Sequence, residues 1–402
     1  MRGMGSGCLG GGRSVRAECP RHLCSNGEAD MSTPTALRIA LLGPASSIHL
    51  QRWAFALVAR GHEVCVISQH RCDAALLPAA AKLIWLSHEG ERGYFTNAFS
   101  LWRELRLWRP HLLNVHYASG YGTTAALVGY RATLLSVWGS DVYDFPYESH
   151  FKKWLLQRNL RKATAIASTS YAMARQVQRM TPDRYEVEVT PFGVDLKSFA
   201  SNQVSRIPGV LTLGIVKTLA PKYGVDLLLH AFAGLMTDGE VLAKEAVLRL
   251  LVVGDGPQRD ELLSLSKQLG IAEHTEFVGA VAHSEVPKWL NRLDIYAAPS
   301  RLDSESFGVA VIEASACSLP VVVSDVGGLP EVVRNEETGI VVLRNDVPAL
   351  QTALKRLVLD AELRKRLGHN GRAHVARDYE WSHCVSLMEQ CYRRTISKAD
   401  SA

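Results

Sequence analysis

Short apolar runs separated by longer amphipathic stretches recur along most of this chain, and that alternation constrains its fold more than any other feature. Runs at residues 37–42, 64–68, 111–115 and 134–137 are apolar at most consecutive positions. A strand with one wet face would alternate polar and apolar residues. A near-continuous run suits a parallel strand buried on both faces. Residues 50–60 read as a helix closed by Gly61. Parallel neighbours need such crossover helices, so the pattern predicts doubly wound α/β architecture. The alternation restarts after residue 205. Strands are expected at 211–216, 248–253, 276–278, 295–298 and 321–324, with helices at 227–235 and 258–269.

A length of 402 residues agrees with two such domains at about 150 residues each. We expect an N-terminal Rossmann-like acceptor domain over 31–200 and a C-terminal Rossmann-like donor domain over 201–380, with a cleft between them. Pro191-Phe-Gly-Val-Asp195 and the polar stretch 201–208 form a plausible hinge. A last helix at about 381–395, within the segment 381–402, is expected to pack back on the first domain. Residues 1–30 are rich in glycine and lack periodicity. They read as a disordered extension, or as sequence preceding a start at Met31. They carry no apolar stretch of signal-peptide length. No apolar run approaches the ~20 residues of a membrane-spanning helix.

The net charge of +5 is unevenly spread. Residues 1–30 carry +1, residues 31–200 carry +7 and residues 201–402 carry −3, which sum to +5. A basic first half suits an anionic partner or is an idle surface. Phe99, Trp102, Leu105 and Trp108 are interspersed with Arg103 and Arg106, and residues 151–162 are basic with apolar anchors. Such helices suit an anionic membrane surface or are ordinary core-facing helices. No nucleic-acid-binding motif appears. The eight cysteines include no Cys-x-x-Cys pair, which fits free thiols in a reducing cytosol.

The most informative stretch is Ser300-Arg-Leu-Asp-Ser-Glu-Ser-Phe-Gly-Val-Ala-Val-Ile-Glu313. It lies between two expected strands, so Glu305 to Gly308 fall beyond a strand's carboxyl end, where ligands of such sheets bind. A helix starting near Gly308 would present free N–H groups and a positive end to a phosphate. Glu305 and Glu313 would flank that end. Lys217 and Lys222 bracket the turn after the strand 211–216 and can meet a diphosphate as point charges. Gly254, in Val253-Gly-Asp-Gly-Pro257, allows close backbone approach at the next strand end.

Together, Glu305 to Glu313, the run Pro320-Val-Val-Val-Ser-Asp-Val-Gly-Gly-Leu-Pro-Glu331, Gly214-Ile-Val-Lys217, Lys222-Tyr-Gly-Val-Asp226, Val253 to Pro257 and Phe277-Val-Gly279 resemble the retaining glycosyltransferases of family 4. The resemblance covers about residues 37–395 and is more specific in the second half. It implies the two-Rossmann GT-B fold and a nucleotide-sugar donor (a UDP- or GDP-sugar) held by the second domain. By the same resemblance Lys217 and Lys222 neutralise the diphosphate. Glu305 lies against the donor sugar and Glu313 on the ribose, and backbone amides of Phe307, Gly308 and Val309 contact sugar and phosphate. Lys217 stands where the family usually has Arg.

In the first domain, Gly43-Pro-Ala-Ser-Ser-Ile-His49 resembles the family's glycine-containing loop, which makes Ser47 and His49 acceptor or loop candidates. His116 resembles the family's active-site histidine, and Trp138-Gly-Ser-Asp141 its Gly-Ser-Asp segment. Asp141 would orient an acceptor or a neighbouring loop. The chain contains no Asp-x-Asp, so neither a metal nor another cofactor is expected. The implied activity is retaining transfer to a glycan or lipid-linked acceptor, in cell-surface polysaccharide or glycolipid synthesis. The place expected is the cytoplasm, with peripheral attachment at the inner face of the plasma membrane as one option. A nucleotide-sugar epimerase or phosphorylase, or a non-catalytic partner subunit of the same fold, are the alternatives.

Overall fold

The computed structural model describes residues 36–183, 186–202, 209–244 and 247–402. The expected extension 1–30 and most of the expected hinge 201–208 lie outside them. The chain forms two parallel sheets. The first contains β1 (Arg38–Leu42), β2 (Glu63–Ser68), β3 (Lys82–Trp85), β4 (Leu112–His116), β5 (Thr133–Ser136), β6 (Ala165–Ser168) and β7 (Glu188–Val189), in the order β3-β2-β1-β4-β5-β6-β7. The second contains β8 (Val210–Val216), β9 (Val247–Val253), β10 (Thr275–Gly279), β11 (Ile295–Ala298), β12 (Val321–Ser324) and β13 (Ile340–Val342), in the order β10-β9-β8-β11-β12-β13.

The apolar runs fold as strands because both faces of each sheet are covered. Along β9, Leu248, Leu250 and Val252 enter one hydrophobic layer, while Leu251 and Val253 enter the other. Along β1, Ala40 and Leu42 face one layer and Ile39 and Leu41 the opposite one. Four strands were not foreseen: β3, β6, β7 and β13. Three of them are sheet edges, where partial exposure dilutes the apolar signal, and β6 is a short Ala-Ile-Ala-Ser run.

Each sheet reverses its strand order beside its first strand, between β1 and β4 and between β8 and β11. Ligands bind at such switch points, beyond the carboxyl ends of the strands. The chain passes between the sheets twice, and the two crossings lie side by side. Val194 N–H donates to Tyr379 O at 2.9 Å, and Trp381 N–H donates to Val194 O at 3.0 Å. The second crossing leads into the helix Trp381–Asp400. Its buried side chains recur every three or four residues, from Cys384 and Val385 through Met388, Cys391 and Tyr392 to Ala399, and those from Val385 onward join the layer built on Ile39, Leu41 and Trp53 of the first sheet. Tyr392 Oη donates to the buried Asn114 Oδ1 at 3.1 Å.

Candidate functional site

The strand ends around the two switch points meet, since Ser306 Oγ after β11 donates to Trp138 O after β5 at 3.0 Å. Lys217 follows β8, and its Nζ lies 2.9 Å from Glu305 Oε1 and 2.9 Å from Oε2 in the loop after β11. Burial works against the Lys217 ammonium, yet the Glu305 carboxylate and then Tyr223 hold its pKa above the ordinary lysine value. Lys222 lies in the short turn Pro221–Tyr223. Both ammonium groups lie over the Tyr223 ring, Lys217 Nζ at 4.5 Å and Lys222 Nζ at 4.9 Å from its centroid. The structure thus brings Lys217, Lys222 and Glu305 together.

The helix Val309–Ala316 begins after Gly308, as the sequence predicts. Gly308 has φ +98°, and a Cβ there would meet Leu329 Cδ2 at 2.6 Å. The first helical bonds run from Val311 and Ile312 to Gly308 O, so the amides of Val309 and Ala310 stand ahead of the ladder. The Phe307 side chain is buried between Phe192 and Tyr379, with centroids at 6.0 and 5.6 Å. Only its backbone is placed for a ligand. Glu313 is buried one turn further on, and its Oε1 lies 2.8 Å from His283 Nε2. His283 follows the carboxyl end of β10. Sequence reading passed over it, although the strand-end rule points there. The loop carrying Glu305 rests on Gly327 and Gly328, whose would-be Cβ atoms meet Glu305 O and Ser306 O at 2.2 Å each.

From the first domain, His116 is fully buried at the end of β4, and among the described residues neither ring nitrogen has a hydrogen-bond partner. Its ring lies 4.9 Å from Trp138. Burial, then the neighbouring His49, pushes its pKa down to about 3. His49 stacks on Phe192 at 4.3 Å and meets Trp138 edge-on at 5.7 Å. Burial, then the charges of Arg52, His283 and Lys217, lowers its pKa to about 4. Both imidazoles are therefore neutral at pH 7. Gly43 permits the close approach of β1 and β4: a Cβ there would meet Leu50 Cδ1 at 2.6 Å and His116 Cβ at 3.0 Å. Ser47 stands before the helix Ile48–Ala59 without a side-chain capping bond.

Asp141 has the loop role of the two considered. Its carboxylate accepts N–H bonds from Ala118 at 2.8 Å, Trp138 at 3.1 Å and Gly139 at 2.8 Å, and the side chain is buried. No face of it is left for an acceptor. The loop it fixes meets the Glu305 loop directly, since Ser306 Oγ donates to Trp138 O at 3.0 Å. Tyr117, next to His116, is held at φ +75° with its ring 5.2 Å from Trp138. A non-glycine residue in that region stores strain, which collects at functional sites. No residue spacing foretells that backbone.

The buried histidines give a pH-dependent stability. A histidine near 6.5 when unfolded and near 3 when folded binds more protons in the unfolded chain between those values. Its stabilising contribution is complete above about pH 6.5 and is lost progressively as pH falls toward 3. For His116 the loss at pH 5 amounts to about 2 kcal/mol. Thermal melts from pH 7.5 to 5 should show Tm falling, and His116→Asn should flatten the slope. An unchanged slope would mean that His116 binds its proton equally well in the folded and unfolded chain.

Residues 200–374 match the family described as glycosyl transferases group 1, and residues 38–170 match the family described as glycosyl transferase 4-like. The GDP-mannose-dependent alpha-(1-6)-phosphatidylinositol monomannoside mannosyltransferase of Mycobacterium tuberculosis is 30% identical over 243 residues, which span 56% of this chain and 60% of that protein. The chain thus matches less than two thirds of that relative. Among solved structures, sucrose-phosphate synthase from Thermosynechococcus elongatus superposes with a TM-score of 0.74 at 21% identity, covering 89% of this chain and 99% of that one. Anabaena HepE, solved with UDP, gives 0.73 at 15% identity over 89% and 100%. These two likenesses confirm the pair of Rossmann-like domains in the GT-B arrangement.

Proposed function

We propose that this chain, whose second sheet lies in the match to the group 1 glycosyl transferases and whose first lies largely in the match to the glycosyl transferase 4-like family, moves a sugar from a nucleotide-sugar donor to a glycan or lipid-linked acceptor with retention of configuration. The observation that carries the reading is the Lys217–Glu305 pair at the second switch point, with Lys222 and a helix N-terminus beside it. A diphosphate placed there meets two ammonium groups and the amides ahead of the helix Val309–Ala316. Glu313 would take the ribose hydroxyls and Glu305 the donor sugar. The acceptor oxygen forms its bond to the anomeric carbon as the bond to the diphosphate oxygen breaks, and the acceptor proton passes to that departing oxygen. The protein then needs no base of its own, which agrees with two histidines whose basicity burial has lowered. Positioning and electrostatic stabilisation supply the rate.

The lysines and the helix end would carry the neutralisation without a metal. The donor is a UDP- or GDP-sugar; the mycobacterial relative is GDP-mannose-dependent. A thermal-shift screen against UDP-, GDP- and ADP-sugars tests the reading, since a ligand of the native state raises Tm. We expect one nucleotide class to stabilise the chain, and turnover of that donor to be unchanged in EDTA. No shift with any donor would overturn the reading, and activity restored only by Mn²⁺ would overturn its metal independence.

We also place the reaction at an anionic membrane, at the inner face of the plasma membrane. Among the described residues no helix is long and apolar enough to cross a membrane. The helices Ala98–Trp108 and His150–Lys162 instead present Phe99, Trp102, Leu107, Phe151 and Trp154 to solvent, between 40% and 71% exposed. Arg103, Arg106 and Lys153 are exposed among them. Exposed aromatics ringed by cations suit the interface of an acidic bilayer. The full chain should sediment with phosphatidylglycerol-containing vesicles and not with pure phosphatidylcholine, and Trp102→Ala with Phe151→Ala should weaken sedimentation about tenfold or more. Equal binding by the double variant would remove these helices from the interface.

A further inference from the structure

The turn that carries Lys222 is held from outside by one residue, Arg301, through its backbone N–H and its side chain. Its guanidinium forks onto Asp226, with Nη1 to Oδ1 at 2.8 Å and Nη2 to Oδ2 at 2.6 Å. Nε donates to Asn345 Oδ1 at 3.1 Å. The Arg301 backbone N–H donates to Lys222 O at 2.7 Å, and Nη1 reaches Pro221 O at 3.4 Å. One residue therefore grips the peptide of Lys222 and the first turn of the helix Val225–Met236 that follows. Gly224, between them, has φ +64°, and a Cβ there would meet Pro299 O at 2.1 Å. The turn lies directly on the strand-end segment that continues into the Glu305 loop.

We propose that Arg301 is a positioning residue for nucleoside diphosphate binding, acting through Lys222. The inference rests on the donor reading above, which sets the diphosphate between Lys217 and Lys222. A half-buried lysine on an unsupported turn loses much of its attraction to side-chain and backbone freedom. Here the backbone of Lys222 is tied at its carbonyl, and the tie is fixed by a planar fork that Asp226 fills. The same segment carries Glu305 four residues later. Arg301 thus sets the distance between the cation that meets the diphosphate and the carboxylate that meets the sugar. A lysine at 301 would keep the charge but lose the fork.

The test uses the full chain and its affinities for UDP and GDP by calorimetry, for the wild type, Arg301→Ala, Arg301→Lys, Asp226→Asn, Lys222→Gln and the double variant Arg301→Ala with Lys222→Gln. Circular dichroism and Tm check that each is folded. Arg301→Ala should weaken the preferred diphosphate about tenfold, the size of one charge-assisted contact. Arg301→Lys should rescue little of it, and Asp226→Asn should fall in the same direction. The double variant should bind no more weakly than Lys222→Gln alone, because both substitutions remove one contribution. The corresponding monophosphate should lose less. Folded Arg301 variants with wild-type diphosphate affinity, or additive losses in the double variant, would overturn the inference and leave the donor reading standing. A wild-type chain that binds neither diphosphate would overturn both.

Discussion

Glu305→Gln is expected to lower kcat by about two to three orders of magnitude, the range seen when one preorganised electrostatic partner of a transition state is removed. Diphosphate affinity should not weaken with it. In the resting site both Glu305 oxygens share Lys217, so the carboxylate competes with a diphosphate for the same ammonium. A glutamine amide still accepts one bond from Lys217 but carries no charge. On the proposed donor placement the lysine is then freer for the leaving group, while the developing positive charge on the sugar loses its partner. The fold should hold, because the glutamine keeps the volume and one hydrogen bond. Steady-state kinetics with the donor found by the thermal screen, beside UDP or GDP titrations, separate the two effects. Near wild-type kcat would remove Glu305 from the chemistry.

What the sequence shows of this site is what lies within one strand–loop–helix unit. Lys217 and Lys222 are five residues apart around one turn, and Glu305 and Glu313 frame one helix start, so their grouping is visible in a linear string. The helix start at Gly308 is legible for the same reason. The pairings across units are not. Lys217 and Glu305 are 88 residues apart, and His283 and Glu313 are 30 apart. Strand order alone brings β8 beside β11. Asp141 stays ambiguous in isolation because a carboxylate at a strand end can serve an acceptor or a loop, whereas here backbone amides from two loops consume it. The hold between the two domains is equally silent in sequence. Glu331 accepts the N–H groups of Tyr171 at 2.8 Å and Ala172 at 2.6 Å, at the start of a helix in the other domain. The fold class reads out well because burial on both faces writes itself into every central strand, and it fades at the edge strands β3, β7 and β13 where one side is open.

Gly254→Ala should be the most destabilising single-methyl change in the second domain. The sequence reading gives Gly254 to close backbone approach at a strand end, and the structure shows that the backbone approaching it is the chain's own, at Lys217. A Cβ at Gly254 would stand 1.9 Å from Lys217 O, and the residue has φ +137°. Neither backbone can yield easily. Lys217 N–H is bonded to Val253 O at 2.9 Å, and Gly254 N–H to Gly279 O at 2.9 Å, so movement would break ladder ends of three strands. Strain in that region of φ costs about 1–3 kcal/mol, and the clash adds to it, for a total above about 3 kcal/mol. In a domain of this size that corresponds to a fall in Tm of roughly 10 °C. Gly61→Ala separates the two contributions. Gly61 has φ +83° with nothing within 4 Å of its would-be Cβ, so it reports the backbone cost alone, about 1–2 kcal/mol. Differential scanning calorimetry of the two variants decides the matter. Equal shifts would mean that the approach of Lys217 to Gly254 is slack. A larger shift for Gly254→Ala, with diphosphate affinity lost from the fraction that remains folded, would show that this contact also seats the lysine on which the donor site depends.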